Sequence, residues 1–149
     1  IGFGNAGCHL PHGMSYAVAG LVKDYSPEGW PTDHNMVPHG ISVIVNSPAV
    51  FRKTGPACAE RHWKAAAAMG ADLTDTKVED GGDILAEQIL GMMRETGIPN
   101  GLSGVGYSID DLDALTDRSY AQKRLIDNGP MPISREDLKE LFSDAMNYW

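Results

Sequence analysis

Apolar residues recur along most of this chain at intervals of three and four, and strict alternation is rare. Pro11 stands where the first turn of a helix tolerates a proline, and Met14, Ala17, Val18, Leu21 and Val22 follow at helical spacing, predicting a helix that ends near Tyr25. Pro27, Gly29, Pro31, Asp33 and Asn35 mark residues 26–36 as a loop. Pro38 then opens a second helix or a strand through ISVIVNSPAVF, whose β-branched residues suit either. Residues 56–69 read as a helix stopped by Gly70. Residues 83–96 read as another, stopped by Gly97, with Ile84, Leu85, Ile89, Leu90, Met92 and Met93 as its buried face. Ser108 with Asp111, and Ser134 with Asp137, have the spacing of capping boxes, and Tyr107 with Leu112 and Ile133 with Leu138 stand where hydrophobic staples belong. The sum is an all-α bundle of about five to six helices in one unit spanning residues 1–149, with no internal repeat.

Charge narrows the partners. Twelve Lys and Arg against 20 Asp and Glu leave a net charge of −8, so a nucleic-acid backbone finds no basic footprint. The acidity is uneven: residues 1–75 hold 6 acids and 5 bases, residues 76–149 hold 14 acids and 7 bases. The near-neutral first half is the place to look for chemistry. No apolar run approaches the roughly 18 residues of a membrane span. Two cysteines, Cys8 and Cys58, are too few for a disulfide framework, and no secretory leader precedes them, which predicts a reducing, cytoplasmic setting. The opening phrase IGFGNAGCHL reads like the middle of a protein, so a fragment or processed product is expected.

Four of the five histidines, His9, His12, His34 and His39, lie in the first 39 residues. Imidazole is a common ligand for divalent metals, and His12 and His39 each follow a proline at a predicted first helical turn. Both would sit on rigid elements. A helix N-terminus opposes a cation, so anionic ligands are expected to complete such a site. A closed zinc centre from Cys8, His9 or His12, and His34 or His39 is an alternative, without the paired C-x-x-C geometry typical of such sites. Asp33 and His34 are read as a solvated loop pair, His62 as a residue of a polar helix face, and Cys8 and Cys58 as small buried hydrophobes.

HLPHGMSYAVAG followed by VPHGISV resembles the C-terminal helical region of the iron-containing, group III alcohol dehydrogenases. The insertion GLVKDYSPEGWPTDHNM is closest to the hydroxyacid-oxoacid transhydrogenase branch, and the likeness continues through ERHWKAAAAMGAD, GYSIDDLDAL and PISREDLKELFSDAM. The resemblance implies that His12 and His39 are two of four ligands to a catalytic divalent metal, iron or zinc. The other two ligands, an Asp and a His four residues apart, have no counterpart before His12, and no Gly-rich dinucleotide-binding turn is present.

The implied whole is a two-domain oxidoreductase that moves hydride between a nicotinamide and a small alcohol or 2-hydroxy acid. This chain would be its metal- and substrate-binding half. NAD or NADP would bind through the absent N-terminal domain, and the fragment alone would be inactive. Many relatives carry a His four residues after the first metal histidine; here that position is Tyr16, one turn along the same face and a candidate for hydrogen bonding or proton relay to the substrate oxygen. Self-association is expected through Ile1, Phe3 and the stripe Met14, Val18 and Leu21, if the absent half normally covers them. The competing readings are an autonomous helical interaction module and a zinc-stabilised helical domain, both without catalysis.

Overall fold

The computed structural model describes residues 1–30 and 33–149; Pro31 and Thr32 of the predicted loop, and the side chain of Phe3, lie outside the described residues. Among the described residues there is no strand, and the helices are α1 (Gly2–Ala6), α2 (Leu10–Gly20), α3 (His39–Ile44), α4 (Ser47–Thr54), α5 (Ala59–Ala68), α6 (Gly81–Glu95), α7 (Leu112–Tyr120), α8 (Lys123–Ile126) and α9 (Arg135–Asp144). Six of them, α2, α4, α5, α6, α7 and α9, reach eight residues or more. The short α1 and α8 have no signal in the hydrophobic pattern. None of the helices is long and apolar enough to cross a membrane.

Two groups of helices make the bundle. α6 packs on α4 and α5, α7 packs on α2 and α9, and contacts of α4 with α9 and α2 join the groups. Leu10, Met14, Leu90, Met93, Leu115 and Phe142 are fully buried in the shared core. Of the residues expected to drive self-association, Met14 and Val18 are therefore covered by the chain's own helices, while Leu21 is half-buried and Ile1 fully exposed. Met92 also departs from expectation, being 44% exposed while Leu85, Ile89, Leu90 and Met93 are buried.

The ambiguous ISVIVNSPAVF segment is two helices with a break at Val45 and Asn46. Pro48 has no N–H to continue the α3 ladder. The carbonyls exposed by the break are taken up by side chains: Asn46 Nδ2 donates to Ser42 O at 2.7 Å, Ser47 Oγ to Val43 O at 3.1 Å, and Tyr148 Oη to Val45 O at 2.9 Å. α2 ends at Gly20, five residues before the predicted Tyr25. Tyr107 Oη donates to Val18 O at 2.7 Å, Asn35 Nδ2 donates to Lys23 O at 2.6 Å, and Met36 N–H donates to Tyr25 O at 2.9 Å. These distant groups satisfy the backbone that a longer helix would have paired internally.

α5 and α6 meet through glycine. A Cβ added to Gly81 would lie 2.5 Å from Ala59 O and 2.6 Å from Trp63 N, and one on Gly82 would lie 2.7 Å from Phe51 O and from Gly55 Cα. The neighbouring Trp63 is half-buried and donates from Nε1 to Thr76 Oγ1 at 3.1 Å. Trp30 and Trp149 are about half exposed, the latter beneath the Arg94 guanidinium.

The second capping box is complete: Asp137 N–H donates to Ser134 Oγ at 3.0 Å, and Ser134 N–H returns to Asp137 Oδ2 at 3.0 Å. At the first, Ser108 N–H donates to Asp111 Oδ2 at 2.9 Å. Lys53 Nζ of α4 also pairs with Asp137 at 2.6 Å. The Lys53 ammonium, with the Ser134 hydroxyl and backbone N–H, holds the Asp137 carboxyl well below the usual carboxylate range. A carboxyl depressed in the folded state contributes stability at neutral pH that is lost as it becomes protonated. The loss therefore starts as pH falls below about 4, the unfolded carboxyl's range, and proceeds toward the lower folded value. Urea midpoints measured from pH 6 to pH 2 are expected to fall more steeply for the wild type than for Asp137→Asn, and parallel curves would contradict this.

Candidate metal centre

His9 precedes α2 and Pro11 occupies its first turn, which brings His12 N–H and Gly13 N–H onto His9 O at 3.0 and 3.1 Å. Pro38, in extended conformation at ψ 144°, precedes His39 at the start of α3. Each histidine is then fixed from within its own helix by a hydroxyl three residues on. Ser15 Oγ donates to His12 O, and Ser42 Oγ donates to His39 O, both at 2.8 Å. α2 packs against α3, so the two first turns lie side by side.

The imidazoles of His12 and His39 meet with ring centroids 5.3 Å apart and planes inclined at 60°. Burial, followed by the neighbouring His39, lowers the His12 pKa below its ordinary value. His12 is therefore neutral at pH 7, the form in which imidazole binds a metal. Tyr16, half exposed, shares a cavity of about 450 Å³ with both histidines, walled also by the Gly4–Cys8 segment and by Arg124, Leu125 and Asn128. Asn128 Nδ2 donates to Ala6 O at 3.1 Å and Cys8 O at 3.0 Å, tying the end of α8 to the turn before α2.

Among the described residues no three His, Cys, Asp or Glu side chains converge as a metal-binding group. The closed zinc centre from Cys8, His9 or His12, and His34 or His39 is thus not assembled. His34 is instead exposed, its Nδ1 2.6 Å from the still more exposed Asp33. Nor do the described side chains supply the anionic ligand expected beside the histidine pair.

Residues 1–146 match the Fe-containing alcohol dehydrogenase family, C-terminal. The chain belongs to that family. It is 44% identical over 149 residues to "Hydroxyacid-oxoacid transhydrogenase, mitochondrial" of Xenopus laevis, and 43% identical to the protein of the same name in Homo sapiens. In both cases the match takes in all of this chain and 32% of the relative. The chain thus spans about a third of the length of these curated relatives. Among solved structures, an alcohol dehydrogenase from Oenococcus oeni superposes with a TM-score of 0.80 at 20% identity, covering 96% of this chain and 34% of that one. A 1,3-propanediol oxidoreductase superposes at 0.74 with 21% identity, covering 91% and 32%. At these identities the superpositions speak for the helical fold alone.

A second feature escaped the sequence reading. His62, expected on a polar face, is only 7% exposed. Its Nε2 lies 3.0 Å from Thr54 Oγ1, and its Nδ1 lies 3.2 Å from Cys58 Sγ and 3.1 Å from Cys58 O. The C-x-x-x-H spacing, one helical turn, was the available signal. This group borders a larger, mainly apolar cavity of about 600 Å³ between α4, α5 and α6, with Phe51, Leu85 and Ile89 in its wall. His9 borders it too, with a buried Nδ1 that has no partner. Arg124, next to Lys123 on the short α8, had no sequence signal.

Proposed function

We propose that this chain is the metal- and substrate-binding part of a divalent-metal-dependent oxidoreductase acting on small alcohols or hydroxy acids with a nicotinamide cofactor. The observation that carries the reading is the meeting of His12 and His39, 27 positions apart, at 5.3 Å in an open cavity. Membership of the iron-containing family and the names of the relatives support it.

The donor set fits half of a metal site. Two imidazoles, each on a rigid turn, suit iron or zinc at the ~2.1 Å typical of metal–nitrogen bonds, and the remaining positions fall to groups outside this set. When bound, the ion supplies Lewis acidity toward the reacting oxygen. His12 and His39 would hold it, and Tyr16, on the same face of α2, would offer a hydroxyl to that oxygen or a route for its proton. No nicotinamide-binding turn is present in this sequence, so the 149-residue chain by itself is proposed to be catalytically silent.

Zinc titration tests the metal reading. Calorimetry is expected to show weak one-to-one binding, because two neutral ligands leave the ion's charge uncompensated. His12→Ala or His39→Ala should abolish it, and Cys8→Ser should leave it unchanged. Tight binding that disappears with Cys8→Ser would replace this reading with a structural zinc site, and binding indifferent to both histidines would remove it.

A further inference from the structure

Among the described residues, Arg124 is the one Lys, Arg, Asp or Glu in the wall of the His12–His39 cavity. Among the described residues the wall contains no Asp or Glu, although the chain as a whole carries a net charge of −8. Several other basic side chains pair with carboxylates: Lys53 binds Asp137, Arg135 binds Asp113 and Asp117, and Lys23 binds Asp111. Lys123, beside Arg124 in sequence, lies over the Tyr120 ring at 3.4 Å. Among the described residues Arg124 has neither an ion-pair nor a hydrogen-bond partner.

Its place beside the histidines is set by backbone packing. Gly13 follows His12, and a Cβ there would lie 2.9 Å from Ile126 Cδ1 and 3.4 Å from Leu125 Cβ. The missing side chain lets α8 close on the first turn of α2. Asn128 holds the other end of α8 through its bonds to Ala6 and Cys8. Arg124, the residue before Leu125, is thereby carried to the same cavity as His12.

We propose that Arg124 is the carboxylate anchor of this site and selects hydroxy and oxo acids over neutral alcohols. This rests on the reading of His12 and His39 as the place where the reacting oxygen is held. A guanidinium presents two parallel N–H donors to a carboxylate, a fit that an alcohol cannot reproduce. With the carboxylate on Arg124, the hydroxyl- or carbonyl-bearing carbon of a short acid is directed toward the histidine pair and Tyr16. A wall free of carboxylates adds no opposing repulsion. Arg124 is exposed and therefore partly solvated, which limits the discrimination to roughly tenfold.

The test compares lactate with propane-1,2-diol, its neutral analogue, by NMR titration of the 149-residue chain with and without zinc. Lactate is expected to shift the His12 and Tyr16 resonances with a Kd about tenfold below that of the diol. Arg124→Gln should raise the lactate Kd to the diol's value while leaving diol binding, zinc binding and the circular dichroism spectrum unchanged. Arg124→Lys should recover part of the loss, and Lys123→Gln should have no effect. Lactate binding that is absent, no better than the diol's, undiminished in Arg124→Gln, or equally weakened in Lys123→Gln overturns the proposal. The two readings fail separately: zinc binding indifferent to His12→Ala removes the metal site while the Arg124 dependence of lactate stands on its own. Normal zinc binding with no Arg124 effect removes the anchor alone.

Discussion

Gly81→Ala is expected to destabilise the fold by about 3 kcal/mol, lowering the thermal midpoint by roughly 10 °C. Two effects of opposite sign compete. Alanine is favoured over glycine inside a helix by about 1 kcal/mol. Against this, the new methyl would meet Ala59 O at 2.5 Å and Trp63 N at 2.6 Å, backbone atoms of α5 that cannot turn aside as a flexible side chain would. Relief requires moving α5 off α6, which opens the core beneath. Gly91→Ala, in the same helix with nothing within 4 Å of the added atom, isolates the favourable term and should stabilise the chain slightly. Calorimetric melts of the two variants should move in opposite directions, and a shared sign would show that packing at Gly81 is looser than described.

Phe142→Ala should cost about 3–5 kcal/mol. Phe142 is fully buried on α9, where that helix faces α7 and α4. Removing the ring forfeits its transfer free energy and leaves a cavity that backbone helices on both sides cannot fill. A domain of this size commonly has 5–15 kcal/mol of stability, so the loss takes a large share of it. Urea unfolding should show a much lower midpoint with an unchanged slope, and Phe142→Leu should recover more than half of the deficit. A midpoint within experimental scatter of the wild type would mean that α9 is not part of the cooperative core.

The residues that announced themselves in the sequence did so through local chemistry. Pro11 and Pro38 fix the starts of α2 and α3, and those starts carry His12 and His39. Ser134 and Asp137 mark the start of α9 because a cap is made by neighbours. What was hidden depends on distant partners. α2 stops at Gly20 because Tyr107 and Asn35 satisfy backbone carbonyls from far along the chain. In the sequence Met14 and Val18 look like surface awaiting a partner, because nothing local reveals that α7 covers them. Arg124 acquires meaning only through the closeness of α8 to Gly13, a contact across more than a hundred residues. His62 belongs to a third kind: its turn-by-turn link to Cys58 was visible, but its burial depends on how α5 meets α4 and α6.

The placement of the three tryptophans decides how this protein can be watched as it unfolds. Trp30 and Trp149 emit from water-exposed positions in the folded chain, so their spectra change little when the core comes apart. Trp63 is half-buried against the stretch of α6 that carries Gly81, with its indole N–H held by Thr76. Bulk fluorescence will therefore understate the transition. A chain in which Trp30 and Trp149 are replaced by phenylalanine would give a single emitter that reports the parting of α5 from α6 and little else.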